Sequence, residues 1–255
     1  MITAGIDIGS VATKAVVLDN DKVLGKAVVK SQMDQQATAE TVLSESLSQA
    51  QIGREEVKAI ATTGYGRRAI GFGDKVITEI SAGAMGAFFL GAPWGKPRIV
   101  ADLGGQDTKV VLLENDGSMA DFRMNDKCAA GTGRFLEVMA GVLGVSLDEL
   151  GDMSLRSKEP ATINSTCTVF AESEVISLIA SGTAKEDIIA GLHNSVASRM
   201  VAMLRQMGDH DVFFMGGGSN NKGVCKALED LISRQLYVPP DPQFVVALGA
   251  ALLAR

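Results

Sequence analysis

Two aspartates, Asp7 and Asp102, each end an apolar stretch and open a glycine turn, and the hairpin that follows is written twice. Asp7-Ile8-Gly9-Ser10-Val11-Ala12-Thr13-Lys14-Ala15-Val16-Val17-Leu18-Asp19-Asn20-Asp21 recurs as Asp102-Leu103-Gly104-Gly105-Gln106-Asp107-Thr108-Lys109-Val110-Val111-Leu112-Leu113-Glu114-Asn115-Asp116, with eight of fifteen positions identical. Small residues in a turn let backbone N–H groups approach an anion, and a strand-end carboxylate can hold a hydrated divalent cation that screens phosphates. A single Asp-Gly turn is common in α/β proteins; a matched pair points to a nucleotide clamp built from two related domains. A third run, Gly216-Gly217-Gly218, follows apolar residues 211–215 and precedes a helical stretch from Lys222. It offers another backbone-only surface, suited to a base or a phosphate.

The elements that must position these turns alternate between strand and helix. Strands are expected at 3–8, 23–29 and 57–62, the last closed by Gly64-Tyr65-Gly66, with an amphipathic helix at 37–50 and an Ala/Gly-rich helix at 81–90. Gly91-Ala92-Pro93-Trp94-Gly95-Lys96-Pro97 breaks that helix and marks a boundary. A strand at 98–103 then leads into the second hairpin, followed by helices near 133–143, 169–180 and 188–207. The first domain is expected over 1–94 with 245–255, because the Ala-rich helix at 243–253 should return to pack on it. The second is expected over 95–244.

Composition narrows the function classes. The 255 residues are 46% hydrophobic but only 5% aromatic, and the net charge is -6. An extended basic, aromatic-studded nucleic-acid surface is not expected. No apolar run is long enough to span a bilayer, and the amino terminus enters its first strand without a basic flank or cleavage site, so a cytoplasmic protein is expected. Three cysteines in such a compartment point to metal binding, redox chemistry or burial, not to a disulfide framework.

Gly5-Ile6-Asp7-Ile8-Gly9-Ser10, Ala101-Asp102-Leu103-Gly104-Gly105-Gln106-Asp107 and Gly216-Gly217-Gly218 resemble the phosphate-1, phosphate-2 and adenosine motifs of the actin, sugar-kinase and heat-shock-chaperone ATPase superfamily. Two further segments, Asn125-Asp126-Lys127-Cys128-Ala129-Ala130-Gly131-Thr132-Gly133-Arg134-Phe135-Leu136-Glu137 and Asn164-Ser165-Thr166-Cys167-Thr168-Val169-Phe170-Ala171-Glu172-Ser173-Glu174, resemble one branch. That branch is the activators (component A) of 2-hydroxyacyl-CoA dehydratases, shared with ATPase subunits of benzoyl-CoA reductases and with reductases of double-cubane cluster proteins. The resemblance implies a duplicated ribonuclease-H-like (actin-type ATPase) α/β fold, two domains around a nucleotide cleft. It also implies a homodimer with one interfacial 4Fe-4S cluster that couples ATP hydrolysis to delivery of a low-potential electron, received from ferredoxin or flavodoxin and passed to an iron-sulfur dehydratase or reductase of anaerobic metabolism. At Gly83 the chain departs from the family's usual His, so its residues do not select a subfamily.

Within that frame Asp7 and Asp102 would hold Mg2+ through water, with Gly9, Ser10 and Thr13 on one side of the ATP or ADP phosphates and Gly104 and Gly105 on the other. Gln106 is placed to orient the attacking water, and Asp107 is a second candidate. The family motif puts Glu137 on the ribose. Cys128 and Cys167 each precede a helical stretch, a setting that favours the thiolate. A cluster generally takes four thiolates, so two chains would be needed. Cys225 shares an apolar helix face with Leu228 and Ile232 and is assigned to the core. Lys14 and Lys109 are expected as solvated strand residues, and His193 and His210 as structural. Two other classes compete: a small-molecule kinase of the same superfamily, which would leave the paired cysteines unexplained, and a non-enzymatic actin-like scaffold.

Overall fold

The computed structural model describes residues 1–164 and 167–255; Ser165 and Thr166, in the motif around Cys167, lie outside the described residues. In chain order the elements are β1 (Ile2–Ile8), β2 (Ala12–Asp19), β3 (Lys22–Lys30), α1 (Gln35–Ala50), β4 (Ala59–Thr63), β5 (Lys75–Val76), α2 (Glu79–Gly91), β6 (Ile99–Leu103), β7 (Thr108–Leu113), β8 (Met119–Asn125), α3 (Gly133–Leu143), α4 (Glu149–Ser154), α5 (Thr168–Ala180), α6 (Lys185–Leu204), β9 (Val212–Met215), α7 (Lys222–Ile232), β10 (Leu236–Tyr237) and α8 (Val245–Leu253).

These form two five-stranded sheets, ordered β3-β2-β1-β4-β5 and β10-β9-β6-β7-β8. The order is the same in both: an antiparallel hairpin runs into a third strand, and the first strand of the hairpin also pairs in parallel with a later strand. The duplication read in the hairpins therefore extends to whole sheets. One compact unit comprises Met1–Arg98, Leu113–Ala120 and Pro239–Arg255, the other Ile99–Leu112 and Asp121–Val238.

In the first unit α1 covers one face of the sheet, where Ala39, Val42, Leu43 and Leu47 pack on Ile6, Ile8, Ala15 and Val17. Asp34 caps α1 by accepting a hydrogen bond from the Ala37 N–H at 2.9 Å. The other face is covered by α8, whose Ala247, Leu248 and Ala251 meet Val16 and Leu18. Its small residues allow backbone contact: a Cβ on Gly249 would sit 1.7 Å from the Ala82 carbonyl of α2. In the second unit the buried strand β6 lies in a core with Phe135 and Met139 of α3, Ala171 and Val175 of α5, and Val196 and Met200 of the twenty-residue helix α6. No helix among the described residues is long and apolar enough to cross a membrane.

Candidate functional site

The register of the first sheet sets Asp7 opposite Lys14 on β2 and opposite Thr63 on β4. Lys14 Nζ donates to Asp7 Oδ2 at 3.1 Å, while Asp7 Oδ1 is buried without a hydrogen-bond partner, as is Thr63 Oγ1. A buried acceptor left unpaired costs about 1–3 kcal/mol, so this strand end is incomplete without a further group. Gly64 closes β4 with φ +84, and a Cβ there would lie 2.4 Å from Asp7 Oδ1. The turn itself is braced from behind: Thr13 and Ser31 share a hydroxyl–hydroxyl hydrogen bond of 2.9 Å, and Ser31 Oγ donates to the Gly9 carbonyl at 2.6 Å. Ser10 is exposed at the tip of that turn.

The second unit repeats the construction. Asp102 is opposite Lys109 on β7 and Met215 on β9, and Gly216 follows with φ +91. A Cβ on Gly216 would lie 2.2 Å from Asp102 Oδ1 and 2.6 Å from the Leu103 carbonyl, the same relation that Gly64 bears to Asp7 and Ile8. Gly64-Tyr65-Gly66 is thus the first unit's counterpart of the Gly216-Gly217-Gly218 run, a kinship that parallel pairing creates and local sequence hides. Gly104 N–H donates to the Asp107 carbonyl at 3.0 Å, closing the turn and leaving Gln106 exposed at its tip. Gly217 faces open space.

Lys14 and Lys109 overturn the expectation of solvated strand residues. Lys109 is 4% exposed, with Nζ 2.5 Å from Asp107 Oδ1 and 4.0 Å from Asp102 Oδ2. Cross-strand pairing sets each lysine against a strand-end carboxylate, so both ammonium groups stand at the glycine turns.

The turn of the second unit is bonded to the start of α3. Gly104 and Gly105 carbonyls accept from the Gly133 and Arg134 amides at 2.9 and 2.7 Å, which satisfies two N–H groups that a helix leaves open. Those two amides are therefore spent on the turn and do not serve the Cys128 sulfur. Thr108, the repeat partner of Thr13, donates to the Gly131 carbonyl at 2.6 Å. Between them lies the cysteine loop, held by Asn125: its Nδ2 donates to the Cys128 and Ala130 carbonyls, and its Oδ1 accepts from the Cys128 amide. Cys128 is exposed. Glu137, further along α3, is exposed and paired with Arg134 at 2.8 Å.

Cys167 is the N-cap residue of α5, where its side chain makes no capping hydrogen bond. Asn164 before it donates its backbone N–H to Glu174 on that helix at 3.0 Å. Cys225 is partly buried against the core; its Sγ donates to the Ser219 carbonyl at 3.3 Å, and burial pushes the thiol up to about 11. It is a protonated packing residue, as expected. Burial also lowers His193 to about 4, so it is a neutral ring hydrogen-bonded to Asn221, the cap of α7. Among the described residues no group of three or more His, Cys, Asp or Glu is placed to hold a metal ion.

Two sheets of one topology, each ending a strand in Asp beside a glycine turn, define the duplicated α/β fold of the actin-like ATPases and sugar kinases. The ROK-family glucokinase of Streptomyces griseus shares this fold at a TM-score of 0.58 and 15% identity, over 100% of this chain and 99% of its own. Residues 4–254 match one family within that class, and the chain belongs to it: the BadF/BadG/BcrA/BcrD ATPase family. The (R)-2-hydroxyglutaryl-CoA dehydratase activating ATPase of Acidaminococcus fermentans is 45% identical over 255 residues, 99% of this chain and 96% of that protein. The activator of 2-hydroxyisocaproyl-CoA dehydratase from Clostridium difficile, solved with bound ADPNP, superposes at a TM-score of 0.94 with 42% identity, covering 100% of this chain and 94% of that one.

Proposed function

We propose that this chain is an ATP-dependent reductive activator that, as a homodimer, accepts a low-potential electron from ferredoxin or flavodoxin and delivers it to an iron-sulfur dehydratase or reductase. The observation that carries the reading is the direct bonding of the second phosphate turn, Gly104 and Gly105, to the helix that follows the Cys128 loop. A nucleotide site and a redox-ligand site are thereby built on one continuous element. Similarity over the whole chain to dehydratase-activating ATPases supports it.

The residues fit the groups that this function requires. In the first unit the unpartnered Asp7 Oδ1, Lys14 and the closing Gly64 suit a cation and phosphates, and in the second Asp102, the buried Lys109 and Gly216 repeat that set. Mg2+ would be held through water by Asp7 and Asp102 and would supply charge neutralisation on the phosphates. Gly9 and Ser10 present backbone and hydroxyl donors, and Thr13 acts through Ser31 to hold that turn. Gly104 and Gly105 contribute from the second unit, Gly216, Gly217 and Gly218 receive the adenosine, and Glu137 takes the ribose once it leaves Arg134. Gln106, exposed at the turn, orients the attacking water, with Asp107 as the second candidate. Cys128 and Cys167 offer two soft thiol donors per chain. Two chains would complete the four thiolates of one 4Fe-4S cluster, which supplies one-electron transfer.

The experiment is anaerobic purification followed by Mg2+-dependent ATP hydrolysis and iron analysis. Gln106→Ala and Asp102→Asn should each slow hydrolysis by on the order of a hundredfold. Iron should total about four per dimer, be lost in Cys128→Ser and Cys167→Ser, and persist in Cys225→Ser. Hydrolysis by Gln106→Ala at the parent rate would reassign the water-orienting residue, and full iron in Cys128→Ser would end the bridging-cluster reading.

A further inference from the structure

We propose that Arg199 is a positioning residue of the Cys128 loop and provides a fixed positive charge beside the cluster that Cys128 would ligate. The inference rests on the functional reading above and adds to it a residue that neither the glycine motifs nor the cysteine motifs include.

Arg199 lies on α6, more than sixty residues from the loop in sequence, and is half-buried. Its Nη1 donates to the Ser195 carbonyl at 3.0 Å and to Ser195 Oγ at 2.6 Å, one helical turn earlier, so the guanidinium is clamped rather than free to sweep through solvent. Its aliphatic stem lies against Gly131: a Cβ at that position would be 2.8 Å from Arg199 Cδ and 3.4 Å from its Cβ. Gly131 also has φ +87, a conformation that other residues adopt only under strain. From β7, Thr108 Oγ1 holds the Gly131 carbonyl. The cysteine loop is therefore gripped between β7 and α6 three residues beyond Cys128, while Asn125 fixes Cys128 itself.

The stem packed on Gly131 sets Arg199 beside the loop that carries Cys128, three residues away in sequence. Arginine carries its charge at every accessible pH, and here Nη1 anchors that charge to Ser195. A cluster gains one negative charge on reduction, and charges and hydrogen bonds around the sulfurs set its potential. A fixed cation beside the cysteine loop would stabilise the reduced state more than the oxidised one. Removing it should make the cluster harder to reduce, and releasing the loop should let iron leave more easily.

The test uses anaerobically purified dimer in three forms, parent, Arg199→Met and Arg199→Lys, with two readouts: the midpoint potential by EPR-monitored redox titration and the rate of iron loss to a chelator. Arg199→Met should lower the midpoint and speed iron loss by about tenfold or more, the scale seen when a residue supporting a metal ligand is removed. Arg199→Lys, which keeps the charge and the methylene stem against Gly131, should recover most of both readouts. Parent values for both readouts in Arg199→Met overturn the proposal. Should that variant not fold, Arg199→Gln, which removes the charge but keeps a polar side chain, carries the same test, and parent values there overturn the proposal equally. A parent protein without iron would instead overturn the cluster reading itself, a result visible before any variant is made.

Discussion

Alanine at Gly216 should disable the second strand end while alanine at its neighbour Gly217 should not. Gly216 has φ +91 and ψ 171, a region that is essentially reserved for glycine and costs other residues about 1–3 kcal/mol. The added methyl would also lie 2.2 Å from Asp102 Oδ1 and 2.6 Å from the Leu103 carbonyl, both packed in the core, and overpacking of that kind costs about 1–3 kcal/mol more. The sum, about 2–6 kcal/mol, is a large share of the ~5–15 kcal/mol that holds a domain together. Even the lower bound corresponds to a fall in melting temperature of about 4–8 °C for a unit of this size. Gly217 has nothing within 4 Å of its would-be Cβ and an ordinary φ, so Gly217→Ala should stay within about 0.5 kcal/mol of the parent. Gly64→Ala repeats the experiment in the first unit, where the methyl would lie 2.4 Å from Asp7 Oδ1. Thermal unfolding by circular dichroism reads all three, and nucleotide titration reads the displaced carboxylates. If Gly216→Ala melts with Gly217→Ala, the packing argument for the strand end is wrong.

Three further outcomes are expected. Lys109→Met should lower stability by about 3–5 kcal/mol at neutral pH, because it strips the countercharge from Asp107 and Asp102. Lys127→Met, at a lysine whose side chain is 89% exposed, should be silent when both variants are unfolded in urea, so equal effects would refute the distinction. For His193 the folded pKa of about 4 lies below the unfolded value of 6.5, so the unfolded chain binds the extra proton first. The contribution is complete above pH 6.5 and is lost as pH falls toward 4, on the order of 3 kcal/mol; His193→Gln should flatten that window of the stability profile, and an unchanged slope would refute the assignment. Finally, iodoacetamide should label the exposed Cys128 of cluster-free protein before Cys225, whose thiol is raised to about 11, with mass spectrometry after timed quenching as the check; equal rates would contradict the buried, protonated state of Cys225.

The hairpin pair, the helices at α3 and α5 and the return of α8 to the first sheet were legible because each is written locally, as a repeat, a glycine-led start or an apolar period. Helix α4, at six residues, is too short to show a period. What stayed hidden depends on register. Lys14 reads as a polar residue in an alternating strand until β1 is laid beside β2, which sets it against Asp7. Gly64 and Gly216 share no more than a Gly-x-Gly spacing, and the parallel pairing of β4 with β1 and of β9 with β6 reveals them as one device used twice. The contact of Arg199 with Gly131 joins a helix to a distant loop, and the missing Cβ in that loop is its one trace in the sequence.

The two repeats differ most where their shared Thr-Lys pair reaches outward. In the first unit Thr13 bonds Ser31, just past β3, and Ser31 returns to Gly9, so the threonine closes a loop onto its own glycine turn. In the second unit Thr108 bonds Gly131, past β8, and Gly133 and Arg134 return to Gly104 and Gly105. The bracing is equivalent: a threonine on the second strand of the hairpin ties down the segment after the third strand, and that segment in turn holds the glycine turn. The cargo is different. Between β8 and the returning amides the second unit inserts a loop that carries Cys128, whereas the first unit proceeds directly into α1. A movement of the Gly104–Gly105 peptide, of the kind phosphate binding would impose, must either break two hydrogen bonds to α3 or drag its start along. Because two backbone hydrogen bonds and the Thr108 tie act together, moving the start of the helix with the turn is the lower-cost response. The two glycine turns thus differ in what is inserted beneath a brace that both halves share.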